Sequence, residues 1–178
     1  MESTGEFGSA PNSSDMLRVE NQLQVHRKRW LSVQMAQFLS KVEAAEKVSI
    51  DRMIRTHMET IVKSNSLSKL KQFVEHFESH AAGIEARLQL ARLLLERGHL
   101  LNAELELIEL ERCEDSATAA TATMMLARML VDNAKLEEAA MCVQRLAGQW
   151  SNVVNLDGQT GQQIAATMLE DETLRKWI

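Results

Sequence analysis

Two histidines, His76 and His80, stand four residues apart in a segment with helical periodicity. Side chains at that spacing lie on one face of a helix, so the two imidazoles could bind a zinc ion together. Glu75 and Glu78 are near enough in sequence to add a carboxylate. The H-E-x-x-H arrangement and a third ligand of obvious placement are both missing. We therefore expect solvated surface histidines, no metal and no other cofactor.

The other reactive residues do not complete a catalytic motif. Cys113 and Cys142 are the only cysteines, and neither has a histidine in its own motif context. They are typical of buried small apolar side chains and do not make a disulfide framework. The pair Gly158 and Gly161 lacks the preceding strand and the lysine of a phosphate-binding loop. We therefore predict that the chain is not an enzyme.

Two charged segments could each bind a partner of opposite charge. The run HRKRW at 26–30 could contact phosphates or acidic lipid, with Trp30 as an anchor. The segment 104–115 carries six acidic residues and could face a basic partner. Both are more typical of solvated helix faces. The net charge of −5 also makes nucleic acid an unlikely partner.

The elements that carry these residues form an internal repeat. The stretch LARLLLERGHLLNAELELIEL begins at Leu90, and LARMLVDNAKLEEAAMCVQRL begins 36 residues later at Leu126. A fixed period in the range of about 20–50 residues is the signature of stacked units, each of which needs a neighbour to cover its apolar face. Gly98 and Asn133 are expected to take the left-handed conformation at the turn inside each unit. The small residues Ala103 and Ala139 allow the two helices of a unit to approach closely.

The spacing L-A-x-x-L, a turn, then A on the next helix resembles the tetratricopeptide family. The resemblance covers about residues 83 to 150, and residues 66–80 look like the second helix of a preceding unit. The period of 36 differs from the family's 34. The resemblance implies an all-α fold, an antiparallel helix-hairpin stack or α-solenoid, which we expect to contain six to eight helices.

In tetratricopeptide relatives the first helix of each pair lines a concave groove that binds protein or peptide partners. Carried over by position, the resemblance predicts eight groove residues: Glu85, Gln89, Arg92 and Glu96 from the first unit, and Thr121, Met125, Arg128 and Asp132 from the second. Arg92 and Arg128 are equivalent and could together bind a carboxylate of the partner. Each could instead pair with the acid one turn later on its own helix, Glu96 or Asp132.

The segments around the repeats are predicted as follows. Residues 1–14 are a disordered tail, and 15–65 form N-terminal helices, the first of them from about 15 to 46. Residues 66–150 hold the repeats. Residues 151–178 form a loop and C-terminal capping helices, with a capping-box spacing at Thr160 and Gln163.

The favoured function is a non-enzymatic protein-interaction or scaffolding module. A second resemblance, on KLKQFVEHFESH and LDGQTGQQI, is to the helical segment of planctomycete quinoprotein-like propeller proteins, which implies an accessory domain that packs against other domains of a larger chain. A small acidic chaperone of the kind that serves secretion systems is a further alternative. No apolar run is long enough to span a membrane, and no signal peptide is evident. The default compartment is the cytoplasm. If the chain is a fragment, its compartment is unknown.

Overall fold

The computed structural model describes the backbone of residues 16–20 and 23–178, and the side chains from Trp30 onward except those of residues 32, 39, 44 and 45. The predicted tail, residues 1–14, lies outside the described residues. So do the side chains of residues 26–29 in the basic run.

Helices dominate the described chain, and the all-α class is confirmed. In chain order the elements are β1 (Met16–Glu20), β2 (Leu23–His26), α1 (Arg27–Lys41), α2 (Ala44–Lys63), α3 (Leu67–His76), α4 (Ala81–Glu96), α5 (Leu100–Glu111), α6 (Ser116–Asp132), α7 (Leu136–Ala147), α8 (Gly161–Met168) and α9 (Glu172–Arg175). The described residues thus contain nine helices rather than six to eight.

The N-terminal region differs from the single helix predicted over 15–46. Strands β1 and β2 pair antiparallel, with Leu17 opposite Val25. The reason is a period of two: Leu17, Val19, Leu23 and Val25 alternate with polar residues, a strand pattern. Helix α1 then ends at Lys41, and Glu43 has the extended backbone that precedes α2. Residues 15–65 are therefore not helical throughout.

The helices form a stack in which chain neighbours contact each other from α2 to α8. Turns of three or four residues join successive helices from α3 to α7. The even-numbered helices α2, α4, α6 and α8 also contact one another in order. On the opposite side, two ion pairs join α5 to α7. Glu104 lies 3.5 Å from Lys135, the N-cap of α7, and Glu111 lies 2.9 Å from Arg145 of α7.

Equivalent positions of the repeat have equivalent burial. Ala103 and Ala139 are both fully buried where the second helix of each unit packs. Leu110 and Leu146 are buried near the other end of the same two helices. Helix α4 is buried around much of its circumference because α3, α5 and α6 all pack against it. Helix α7 buries only one face, formed by Ala139, Ala140, Cys142, Val143 and Leu146.

The turns inside the two units share one backbone geometry. Gly98 has φ 73°, as its position predicts. In the second unit the left-handed residue is Ala134, with φ 58°, and not Asn133, with φ −102°. Asn133 instead donates its side-chain amide to the carbonyl of Met129 at 2.7 Å. The equivalence of positions 98 and 134 therefore outweighs the better intrinsic tolerance of asparagine for that conformation.

Residues 151–160 connect α7 to α8, and we call them the connecting loop. The loop is organised by Asn155, whose buried Oδ1 accepts the N–H groups of Asp157 at 3.0 Å and Gln159 at 2.9 Å. It ends at Thr160, which forms the predicted capping box with Gln163. Gly161 follows Thr160. A Cβ at Gly161 would lie 2.3 Å from the carbonyl oxygen of Trp150, so only glycine fits at this position.

Candidate functional site

Helix α4 carries three of the predicted groove residues into one cavity of about 450 Å³. We call this the loop cavity, because the tip of the connecting loop forms one side of it. Its lining comes from α4, the start of α6 and the loop: Ala81, Ile84, Glu85, Leu88, Gln89, Arg92, Asp115, Thr118, Leu156 and Asp157. Ile84, Leu88 and Leu156 make it apolar at the centre, and the charged groups surround them.

A second cavity of about 310 Å³ lies on the other side of α4, against α2 and α3. Gln89 and Arg92 line both cavities, and Glu96 lines the second one. The four residues predicted on α4 are therefore brought together on one surface. Helix α4 forms a ridge between two depressions, and Gln89 lies on that ridge.

The second unit does not extend this surface as predicted. Thr121 is fully buried, and its hydroxyl accepts the N–H of Leu156 at 3.0 Å while donating to the carbonyl of Ala117. The connecting loop therefore covers the position on α6 that was expected to face a partner. Met125 is half-buried, and Arg128 and Asp132 are exposed. None of these four residues lines either cavity.

The two equivalent arginines have different surroundings. Arg92 lies 4.0 Å from Asp157 of the connecting loop and does not form the alternative pair with Glu96 on its own helix. Both side chains are substantially exposed, so the pair contributes only about 0–1 kcal/mol to stability. Within the described residues, Arg128 has no ion-pair partner, and Asp132 therefore does not hold it. The two guanidinium groups do not share one cavity.

The charge of the loop cavity is unequal. Three carboxylates, Glu85, Asp115 and Asp157, line it with one guanidinium, Arg92. Hydrogen bonds from the hydroxyl and backbone N–H of Thr118 hold the pKa of Asp115 below its usual range, so this group is ionised at neutral pH. Arg55 of α2 donates to Glu85 at 3.0 Å and offsets part of the negative charge.

The histidine pair is not the solvated pair that was expected. His80 is half-buried and precedes α4, where its Nδ1 accepts the N–H of Ala82 at 3.1 Å. Its Nε2 therefore carries the proton and donates to Asp51, also at 3.1 Å. The ring thus caps a helix and joins it to α2. Among the described side chains, no three metal-ligating groups come together.

Cys142 is buried as predicted, and burial raises the pKa of its thiol. Arg145 donates to its Sγ at 3.1 Å. Cys113 is only half-buried, and burial also raises the pKa of its thiol. A thiol with a raised pKa is less often the reactive thiolate, so the environment gives neither cysteine the features of a nucleophile.

The acidic face of α5 is less solvated than its composition indicates. Glu104 and Glu111 pair with bases of α7 and its N-cap, and Glu106 lies 3.7 Å from Arg87. Burial raises the pKa of Glu106 although Arg87 and Lys71 oppose the effect. These acids therefore join neighbouring helices and do not form a free acidic surface.

The side of the stack opposite the loop cavity carries exposed apolar residues. Leu101 is 70% exposed, Leu105 is 56% exposed and Met141 is 61% exposed. A wide depression of about 770 Å³ lies between α5 and α7, with Leu126 and Leu130 of α6 among its lining. We call this the outer groove.

In the part of the chain that the structure describes, no helix is both long enough and apolar enough to cross a membrane. No protein-family model matches the chain, and no curated protein or solved structure is significantly similar to it.

Sequence reasoning did not find the side of the loop cavity that lies away from α4. Leu156 and Asp157 were predicted only as part of a loop, and Asp115 only as part of the acidic segment 104–115. Asp115 is the N-cap of α6, and its side chain accepts the backbone N–H of Thr118. The cap could have been found from Thr118 three residues later, but no local signal indicates where the loop folds back.

Proposed function

We propose that this protein is a non-enzymatic protein-interaction module built from tetratricopeptide-like helix hairpins. The observation that carries the proposal is the pair of cavities on either side of α4, lined by Glu85, Gln89, Arg92 and Glu96. These are the positions that the family resemblance assigns to the partner. A peptide segment that lies across Gln89 would contact both cavities at once.

The composition of this surface supports binding over catalysis. The lining mixes apolar side chains with a few charged ones, which is typical of recognition sites. The contacts between equivalent layers and the shared turn geometry at positions 98 and 134 support the hairpin assignment.

A display selection tests the proposal while the natural partner is unidentified. Random 12-residue peptides on phage are selected against the purified protein, and the enriched peptides are synthesised. We expect their addition to isotope-labelled protein to shift the amide resonances of residues 84–96. A Gln89→Trp variant, which places bulk between the two cavities, should lose at least tenfold in affinity.

The matched control is Glu109→Trp, which puts the same bulk on an exposed position of α5. It should bind the peptides as the parent protein does. Circular dichroism establishes that both variants remain folded. Resonance shifts confined to other surfaces of the parent protein, or full binding by Gln89→Trp, would contradict the proposal. The shifts are measured on the parent protein, so this test does not depend on the folding of a variant.

A second candidate function is an accessory domain that packs against other domains of a larger chain. The exposed Met141, which lines the outer groove, and the exposed Leu101 and Leu105 of α5 favour it, because exposed apolar surface commonly marks an interaction site. The same resonance mapping separates the two candidates. Shifts on the exposed residues of α5 and α7, with none on α4, would favour the accessory domain.

A further inference from the structure

The loop cavity has three features that together restrict its ligand. It is large enough for one or two side chains, at about 450 Å³. Its centre is apolar, with Ile84 and Leu88 from α4 opposite Leu156 from the connecting loop. Its edge carries three carboxylates and one guanidinium, a formal charge of −2, which Arg55 beside Glu85 reduces to −1.

The connecting loop holds its side of the cavity in a defined position. Leu156 is anchored by its backbone N–H to Thr121, and Asp157 by its N–H to Asn155. The side chain of Leu156 is nevertheless 53% exposed, so it is available to a ligand. A surface arranged before binding loses less conformational freedom when the ligand arrives.

The carboxylates differ in how completely their charge is compensated. Glu85 accepts a hydrogen bond from Arg55 at 3.0 Å, whereas Asp157 lies 4.0 Å from Arg92. That distance leaves the oxygens of Asp157 able to accept a hydrogen bond from another cation. An incoming carboxylate would meet three like charges and the opposite charge of Arg92, whereas an incoming cation would meet three opposite charges and the like charge of Arg92.

We infer that the loop cavity binds a peptide segment in which an aliphatic side chain lies next to a lysine or arginine. The aliphatic side chain packs among Ile84, Leu88 and Leu156. The basic side chain reaches the carboxylates at the edge, chiefly Asp157. This inference rests on the proposed function, and it replaces the carboxylate ligand expected from the arginines alone with a basic one.

The selected 12-residue peptides provide the probe. We expect the enriched sequences to share an aliphatic residue adjacent to lysine or arginine. In a binding titration, Asp157→Asn should weaken the tightest peptide about tenfold, the scale of one charged hydrogen bond, and Glu85→Gln should weaken it less because Arg55 already compensates that charge. Glu114→Gln, at an exposed turn outside the cavity, is the matched control and should change nothing.

Peptides with an altered charge give a readout that does not depend on any protein variant. Changing the basic residue of the tightest peptide to glutamine should weaken binding, and changing it to glutamate should weaken binding further. Added salt should raise the Kd of the unaltered peptide.

The outcomes separate this inference from the proposed function. Enrichment of acidic peptides that require Arg92 and bind Asp157→Asn more tightly would overturn the basic ligand and leave an interaction site on α4. Unchanged affinity in both Asp157→Asn and Glu85→Gln would also overturn it. Failure of any selected peptide to shift the resonances of α4 would overturn the proposed function, and this inference with it.

Discussion

Gly98 and Ala134, which are 36 positions apart, share a left-handed backbone with φ 73° and 58°. Glycine adopts this conformation without strain, whereas for alanine it costs about 1 kcal/mol. A Cβ at Gly98 would meet no atom within 4 Å, so backbone strain alone decides the effect of a substitution there. The same turn is thus relaxed in one unit and strained in the next.

Exchanging the two residue types should change stability in opposite directions. We expect Ala134→Gly to raise the free energy of unfolding by about 0.5–1 kcal/mol, and Gly98→Ala to lower it by about 1 kcal/mol. Urea titration followed by circular dichroism measures both. Effects of the same sign would mean that the two turns are not equivalent.

Bulk added at the small positions inside the hairpins should destabilise the stack. Ala103→Leu and Ala139→Leu force a larger side chain into a fully buried site, and such overpacking typically costs about 1–3 kcal/mol. Ala147→Leu is the control, since Ala147 is exposed at the end of α7. Thermal unfolding should shift for the first two variants only. Unchanged midpoints for both would be incompatible with close packing at these alanines.

Asn155 should determine the order of the connecting loop. Asn155→Ala removes an acceptor from the N–H groups of Asp157 and Gln159, which costs about 1–3 kcal/mol if these groups stay unsatisfied. Hydrogen exchange of residues 156–160 should accelerate. Asn152→Ala, an exposed position in the same loop, should leave exchange unchanged. Equal protection in both variants would show that other contacts hold the loop.

Glu106 should reduce stability at neutral pH. Burial raises its pKa in the folded chain, so the charged form is disfavoured there, and the penalty grows as pH rises from the unfolded pKa through the folded one. We expect Glu106→Gln to be more stable than the parent at pH 7. The two proteins should become equal below the unfolded pKa of about 4.3, where both side chains are neutral. A less stable variant at pH 7 would mean that the pair with Arg87 outweighs burial.

Asp115 should show the opposite dependence on pH. Hydrogen bonds from Thr118 lower its pKa, so its contribution is complete above the unfolded pKa and is lost as pH falls through the folded one. Asp115→Asn should therefore be less stable than the parent at pH 7, and the difference should shrink on acidification. Unfolding curves at several pH values measure this. A difference that stays constant with pH would assign the effect to packing and not to charge.

The sequence predicts the stack because its repeat is a local pattern. The buried Ala103 and Ala139, and the four clustered residues of α4, follow from positions within one period. The alternation of apolar and polar residues around Leu17 and Val25 also indicates strands, but the helix predicted over 15–46 includes these residues. The path of the connecting loop cannot be predicted from the sequence, because the contact of Thr121 with Leu156 joins residues 35 positions apart. Such a contact depends on how α7 and α8 pack, and no periodicity reports it.

The connecting loop also affects how the stack comes apart. Arrays of helix pairs usually open from their ends, one unit at a time, because each unit contacts only its neighbours. Here the hydrogen bonds of Leu156 and Asn155 reach back across α7 to Thr121 and Met124 on α6. Helix α7 therefore cannot detach together with α8 while these bonds persist. Residues 116–156 are expected to unfold as one cooperative block, so no intermediate has α7 released while α6 remains folded.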